Sequence, residues 1–570
     1  MDLRLAQTLS ELSDLAKRGQ SIFWTAAKRW FLIAALVGLA VGLFVTGLER
    51  LITLVWNGLS HDMSPWLIVL APTVGLGLSG AFLQFATKDP QLQGTEEYTA
   101  AYHGRHSFRF RSFPGKMLAA FSTLAFGGSA GLEGPSIYAG GAIGSYLVRR
   151  LRPLGLTKED VRHLMVAGAA AGVAAIFKAP LTGIVFALEV PYRDDLVRDA
   201  LIPSLVASVT SYLVLVQFLG TTPLFAVSAR SAMAPRDLGW SLVVGLVVGL
   251  AARAFIASFH DFSRRWRRLP VPLWVRTTAG GFVTGLFGLA SLAVFGFPAA
   301  LGPGYQSVTR MLSGDLVGWQ AVLLLVIKAG AVLATLTCGA AGGIFIPMIV
   351  LGASLGSAIG GFIPGGRGPL FPIVGMSAFL AAGYNTPLAA AVFIAETTGG
   401  AGYLIPGLVG GAIAYAVAGK TSISGEQRWR RESRLERTMS LKVGSLMTHD
   451  VVTAPADGTI AAFVTVGVTR HRHKSLPVVD EEGRLVGMVG LVDVQRVPPE
   501  QWATTPIREA MATDLLTTTT NTTVGMLVTE MAASDVDRVP VVSEDDPGKL
   551  VGIISSSDIV GVEALVSERE

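Results

Sequence analysis

Charge is scarce in this chain. Asp, Glu, Lys and Arg make up 15% of the residues and hydrophobic types 51%, where an ordinary soluble protein carries about 25% charged residues. The deficit is uneven. From Trp30 to Tyr415 the sequence is a series of apolar stretches broken by Gly and Pro, and after Lys420 it reads like a soluble protein. Cysteine is nearly absent. Cys338 stands alone in the apolar region, which rules out an intrachain disulfide and a cysteine-based metal site. No Ser/His/Asp set, His/Cys metal spacing or phosphate loop occurs, so neither an enzyme nor a metal protein is expected. A secretory signal is also missing. Glu11 and Asp14 interrupt the mixed stretch Leu5–Arg29, which predicts an amphipathic helix over 1–29 lying at the cytoplasmic face.

Long apolar runs are few. Trp30–Leu48, Trp66–Phe85, Leu238–Ala257 and Val322–Leu336 approach the roughly 20 residues needed to cross a bilayer. Others are shorter: Lys116–Phe126, Leu181–Val190, Met376–Ala382 and Pro387–Ala395. Such segments predict helices that stop inside the membrane, which is tolerated only where protein or a water-filled cavity covers the broken backbone. A transporter or channel fits this pattern better than a simple anchor.

The net charge of +5 does not point to nucleic acid. The basic residues flank the apolar stretches, at Lys28-Arg29, Arg109–Arg111, Arg149–Arg152, Arg264–Arg268 and Arg428–Arg437. This positive-inside pattern predicts a multi-pass protein of the cell membrane, surrounded by lipid, with both termini cytoplasmic.

The apolar region repeats itself. With Gly127–Ser145 placed over Gly339–Ser357, Gly131, Pro135, Ile137, Gly140 and Gly144 fall on Gly343, Pro347, Ile349, Gly352 and Gly356. Further on, Lys178-Ala-Pro-Leu through Glu189 falls on Asn385-Thr-Pro-Leu through Glu396. The matched Pro and Glu pairs go beyond chance in a Gly-rich chain. Duplicated transport domains bring broken helices from both halves together near the bilayer midplane. The sequence identities alone leave parallel and inverted repeats undecided.

Each copy carries a Gly-rich turn before a Pro: Gly131-Leu132-Glu133-Gly134-Pro135 and Gly343-Ile344-Phe345-Ile346-Pro347. A helix beginning there exposes free N–H groups and the positive end of its dipole, a ready anion site. Two such ends would hold an anion without any full positive charge. Glu133 then stands where an anion should bind. An ionisable residue inside a membrane segment is a functional candidate, and helix capping is its other reading.

These two motifs, in this order and separation, resemble the anion-site signatures of CLC proteins over about residues 30–427. The resemblance implies an all-α polytopic membrane domain, an inverted repeat of broken helices with halves at roughly 30–218 and 238–427. It implies a homodimer with one pore per subunit and bound chloride. Glu133 matches the gating glutamate. Gly131, Leu132, Gly134, Gly343, Ile344, Phe345 and Ile346 match the anion-binding turns, with the N–H groups of Ile344 and Phe345 as donors of the central site.

The sequence departs from the family in several places. The family's first motif corresponds to Gly94-Thr95-Glu96-Glu97-Tyr98. Thr95 supplies a hydroxyl where the family has serine, and Glu96 and Glu97 are expected to face the cytoplasmic vestibule in solvent. The family's central tyrosine corresponds to Ile423 or Ser424, so its phenol is missing and the inner gate must be built differently. The inner glutamate of proton-coupled members corresponds to Val190. Glu189 matches the neighbouring glutamate, and its repeat partner Glu396 suggests a shared role at two helix ends. Lys178 stands where Asn is common, either as an anion attractor or as a salt-bridge partner.

The tail repeats as well. After a linker at 428–442, Leu476-Pro-Val-Val479 pairs with Val539-Pro-Val-Val542, and Leu485-Val-Gly-Met-Val489 with Leu550-Val-Gly-Ile-Ile554. This resembles a tandem pair of α/β CBS domains, at 443–499 and 506–565. It implies an adenine nucleotide (ATP, ADP or AMP) between the copies, held by Ser555 and Asp558 with Asp493 in the first copy. The other reading is a purely structural pair.

Together these features predict a dimeric CLC-type protein carrying chloride, channel-like or weakly proton-coupled because of Val190. Proton-coupled antiport is the alternative. The rival from another class is a CBS-gated cation channel or transporter, which would need carboxylates lining its spans. A membrane-tethered nucleotide sensor would need no duplicated, broken helices.

Overall fold

A computed structural model describes the backbone of residues 2–60, 64–90, 92–151, 153, 156–225, 227, 235–366, 368–399, 401–430, 438–465 and 474–560. Side chains are described from Trp30 onward, except Lys158 and Ala401. The chain divides into Met1–Arg431 and Glu432–Glu570.

Backbone polar groups in hydrocarbon must pair within the chain, and helices do this locally. The described residues of the first unit accordingly form α1 (Asp2–Ser60), α2 (Pro65–Ala86), α3 (Gly94–Tyr102), α4 (Phe113–Ala125), α5 (Glu133–Arg150), α6 (Lys158–Phe177), α7 (Pro180–Glu189) and α8 (Leu201–Leu219). The second half continues with α9 (Pro235–Arg268), α10 (Leu273–Phe295), α11 (Tyr305–Leu312), α12 (Trp319–Thr337), α13 (Phe345–Phe362), α14 (Leu370–Tyr384), α15 (Pro387–Thr398) and α16 (Leu404–Ala418). Among the described residues, eight helical segments are long and apolar enough to cross a membrane. The separate helix expected over 1–29 is instead the first part of α1, which runs on without a break. Its amphipathic face falls on side chains outside the described residues.

The repeated glycines set helix spacing. A Cβ on Gly140 of α5 would overlap the carbonyl of Gly168 in α6, and one on Gly352 of α13 would overlap that of Gly375 in α14. Small residues let these backbones touch, where packing rather than water drives association.

The short helices show how the halves are related. Glu189, the last residue of α7, accepts from the N–H groups of Leu388 (3.1 Å) and Ala389 (2.8 Å) at the start of α15. Glu396, near the end of α15, accepts from the N–H groups of Leu181 (2.9 Å) and Thr182 (2.6 Å) at the start of α7. Each helix thus caps the other's N-terminus, so the two run antiparallel. One half is inverted relative to the other.

The second unit holds two three-stranded sheets. In the first, β1 (Ala454–Pro455) pairs parallel with β2 (Ser475–Val479), which pairs antiparallel with β3 (Leu485–Gly490). The second repeats this with β4 (Thr518–Thr519), β5 (Arg538–Val542) and β6 (Leu550–Ser555), with α17 (Val524–Ser534) between β4 and β5, where the first copy begins a helix at Ile460–Ala462. The copies exchange their lead-in segments. Thr448 pairs with Ile553 of β6, and Ala512 with Met488 of β3. Val443 and Met447 pack in the second core, and Ile507 in the first. The linear domain boundaries therefore cut through both cores. Residues 431–437 of the expected linker and 561–565 of the second copy lie outside the described residues.

Candidate anion pathway

The Gly-rich turns of the two halves meet. The N–H of Gly131 donates to the carbonyl of Gly343 (2.9 Å), and the N–H of Gly343 to that of Gly131 (2.7 Å). This bridge sets the starts of α5 and α13 against each other, with Leu132 and Ile344 as their N-caps. A Cβ on either glycine would strike the Glu133 carboxylate, so both leave room for it to sit there. Gly134 is equally confined, since its Cβ would lie 3.1 Å from Cα of Gly343.

Glu133 begins α5 but does not cap it. Its Oε1 accepts from the N–H of Phe345 (2.5 Å) and of Ile346 (3.3 Å), at the N-terminus of α13. A carboxylate from the first half thus occupies the positive helix end of the second. Glu133 is 1% exposed, and its Oε2 has no hydrogen-bond partner. The donors to Glu133 are thus Phe345 and Ile346, and Phe345 also belongs to the pair expected at the central anion site. The Phe345 ring anchors this turn. It packs against Phe177 at the end of α6, Phe186 in α7 and Phe393 in α15, at centroid distances of 4.8, 5.1 and 5.1 Å.

Cavities approach from two directions. One, of about 590 Å³, is lined by Glu49, Trp56, Leu132, Phe297, Tyr305 and Ser307 among others. The other, of about 500 Å³, is lined by Thr95, Glu96, Gly134, Gly343, Ile344 and Tyr384, with His260, Arg267, Arg276 and Glu426 also on its walls.

Thr95 lies in the first turn of α3, 6% exposed, and its Oγ1 has no well-formed hydrogen bond. Ser424 is fully buried, and among the described residues its Oγ likewise makes no well-formed hydrogen bond. A phenol does stand here, although not at 423 or 424. Tyr384, which ends α14, brings its hydroxyl up to Thr95. The signal for it was a lone Tyr directly before Asn385, the repeat partner of Lys178. Gln427 holds this corner together. Its Nε2 donates to the carbonyls of Tyr384 (2.7 Å) and Val190 (2.9 Å).

The expectation for Glu96 and Glu97 needs correction. Glu97 is not solvated: it is 1% exposed and pairs with Lys116 and with His106 Nε2 (3.1 Å). A buried carboxylate persists when its charge is met in this way. Glu96 lies on the wall of the second cavity, but its carboxylate turns toward the Ser424 hydroxyl and the N–H groups of Gly425 and Glu426.

Three other candidates line neither cavity. Glu189 is a helix cap, as described above. Val190 is fully buried and lines neither cavity. Lys178 ends α6 in the left-handed conformation (φ 54°), matched by Asn385 (φ 56°) at the end of α14. Its Nζ donates to the carbonyl of Leu219 (2.8 Å), and it lies within electrostatic reach of Glu49.

In the tail, Asp558 Oδ2 accepts from the N–H (2.8 Å) and Oγ (2.6 Å) of Ser555. Asp493 Oδ2 accepts from the N–H of Gly490 (2.9 Å) in the same way. Both aspartates close a capping turn with one oxygen. Asp558 Oδ1 stays free of this turn.

Comparisons with known proteins bear on the family and the fold. The family model described as voltage gated chloride channel matches residues 74–419, and the CBS domain model matches 443–500 and 507–564. A relative from Ralstonia nicotianae, named putative chloride channel protein ClcB-like, is 31% identical over 343 residues, 58% of this chain and 78% of that protein. A relative from Citrobacter koseri, named H(+)/Cl(-) exchange transporter ClcA, is 30% identical over 405 residues, 66% of this chain and 83% of that protein. Among solved structures, a slow cyanobacterial Cl-/H+ antiporter is similar with a TM-score of 0.62 at 23% identity, covering 68% of this chain and 94% of that one. A eukaryotic CLC transporter is similar with a TM-score of 0.60 at 18% identity, covering 94% and 98%.

Proposed function

This chain belongs to the voltage gated chloride channel family of membrane anion transporters, and from that premise we propose that it carries chloride through a path gated by Glu133. The observation that carries this reading is the Glu133 carboxylate seated on the N–H groups of Phe345 and Ile346. A carboxylate and a chloride ion have the same charge and seek the same donors, so one excludes the other. Protonation removes the charge that holds Glu133 there, and an anion takes its place. The site uses backbone dipoles rather than a fixed cation, which lets the ion leave as readily as it binds. Thr95, Ser424 and Tyr384 supply hydroxyl donors for the next anion position on the side of the second cavity.

Arg267 and Arg276 line that second cavity, which by the positive-inside rule is the cytoplasmic mouth. Transport is channel-like or weakly proton-coupled, because Val190 cannot carry a proton and Glu189 is committed to capping α15. The named relatives include H(+)/Cl(-) exchange transporters, which keeps antiport as the second reading. The working unit is a homodimer. An adenine nucleotide regulates it through the tail, with Asp558 Oδ1 available to a ribose hydroxyl.

Chloride flux from proteoliposomes with simultaneous recording of external pH tests this function. Chloride movement with little proton movement against a gradient is expected. Robust uphill proton movement would establish antiport, and absence of anion flux would sink the reading.

A further inference from the structure

Glu96 stands where the family motif has glycine, and a carboxylate there opposes anion passage. Like Glu133, it lies beside backbone N–H donors of another segment. The donors around Glu133 are two successive backbone N–H groups, of Phe345 and Ile346. Those around Glu96 are the Ser424 hydroxyl and two successive backbone N–H groups, of Gly425 and Glu426. Among the described residues these two N–H groups make no backbone hydrogen bond. The Ser424 Oγ, fully buried, has no well-formed bond either. Concave sets of N–H donors of this kind bind anions.

Ordinary helix stabilisation does not account for this placement. An acidic residue in the first turn of α3 favours the helix dipole. The Glu96 side chain, however, leaves its own helix start and reaches across the cavity to another segment. That segment is fixed in position. The N–H of Ile423 donates to the carbonyl of Gly383 (2.8 Å), and Ser422 Oγ to Gln427 Oε1 (2.5 Å). The donors are therefore preorganised, and Glu96 is the part able to move.

Resting on the chloride reading above, we propose that Glu96 is a second carboxylate gate in series with Glu133, occupying an anion subsite formed by Ser424, Gly425 and Glu426. The Tyr384 hydroxyl is within electrostatic reach of both carboxylates and beside the Thr95 hydroxyl. An anion crossing the protein displaces both carboxylates, and each leaves most readily when it takes up a proton from water. The other titratable and charged groups facing Glu96 across the cavity are Glu426, His260, Arg267, Arg276 and Tyr384. Arg105 engages Glu426 at 3.0 Å. Glu97, the neighbour on α3, is held by Lys116 and His106, which leaves Glu96 as the carboxylate poised over the subsite.

The test is chloride efflux from proteoliposomes, with equal pH on both faces, for wild type, Glu133→Gln, Glu96→Gln and the double variant. Glu133→Gln should remain acid-activated, its rate falling roughly tenfold per pH unit above the titration midpoint of one carboxyl. The double variant should run fast and flat with pH. Calorimetric chloride titration should show one more bound anion in the double variant than in Glu133→Gln. A flat pH profile in Glu133→Gln alone, or an unchanged profile and anion count on adding Glu96→Gln, overturns the second gate. Lack of flux in wild type would strike the chloride reading instead. Glu96→Asp keeps the charge and should keep the acid activation, which separates gating from loss of fold.

Discussion

Replacing Glu133 by Gln keeps the shape of the gate and removes its charge. Oε1 accepts a short bond from Phe345 (2.5 Å) and a long one from Ile346 (3.3 Å), so most of the holding energy lies in the first. A hydrogen bond to a charged group is worth about 1.5–3 kcal/mol and a neutral one about 1 kcal/mol. The amide oxygen of Gln keeps the neutral share, and the closed gate loses roughly 1–2 kcal/mol. That raises the open population about five- to thirtyfold. Chloride efflux from proteoliposomes at neutral pH should rise by this factor. The acid activation should also become shallower, because one of its titrating carboxyls is gone. An unchanged rate with an unchanged pH profile would refute the reasoning and leave Glu133 as a tie between the two halves, in which case only thermal stability would fall.

Gly343→Ala places a methyl group into the Glu133 carboxylate and 2.7 Å from the N–H of Gly134. It should expel the carboxylate and raise neutral-pH flux, and a wild-type flux and pH profile in a folded variant would contradict the packing argument. Glu189→Ala removes the cap on α15, and caps contribute about 0.5–2 kcal/mol. Its melting temperature, read by fluorescence-detected size exclusion, should fall while the proton-to-chloride ratio stays as in wild type; a changed ratio would return Glu189 to the pathway. Asp558→Ala should weaken adenine nucleotide binding roughly ten- to a hundredfold, measured by calorimetry on the full protein. Asp558→Asn, which keeps an acceptor oxygen at the turn or at the ligand but not at both, should be milder than Ala. Equal binding by all three would move the site towards Asp493.

How much was legible follows from which interactions are local. The long apolar runs lie within α1, α2, α9 and α12, whose faces meet lipid with exposed residues such as Leu32, Leu43, Leu250 and Val326. The segments missed include Glu159–Phe177 and Phe345–Phe362, which are mostly buried inside the protein. Facing other helices rather than lipid, they use Gly and Ala to pack closely, although Phe345–Phe362 is as apolar as α2, and Arg198–Leu219 and Leu273–Phe295, also outside the long runs, are mostly unburied. Lys178 was ambiguous for a related reason. Its left-handed backbone and its bond to Leu219 depend on where α6 ends, which side-chain type does not reveal.

The sequence by itself determined the membrane character, the duplication, the two Gly-rich turns, the lone carboxylate in the first turn and the paired tail. These are properties of composition and spacing, and they survive without knowing what touches what. Tertiary structure decided the rest. It inverted the halves through the reciprocal caps of Glu189 and Glu396. It seated Glu133 on the helix of the opposite half, moved the phenol to Tyr384 and turned Glu96 onto Ser424–Glu426 while burying Glu97 against Lys116. All of these are contacts between residues far apart in the chain. A hydrogen bond needs its donor and acceptor within about 3 Å, and only the packed fold brings them there.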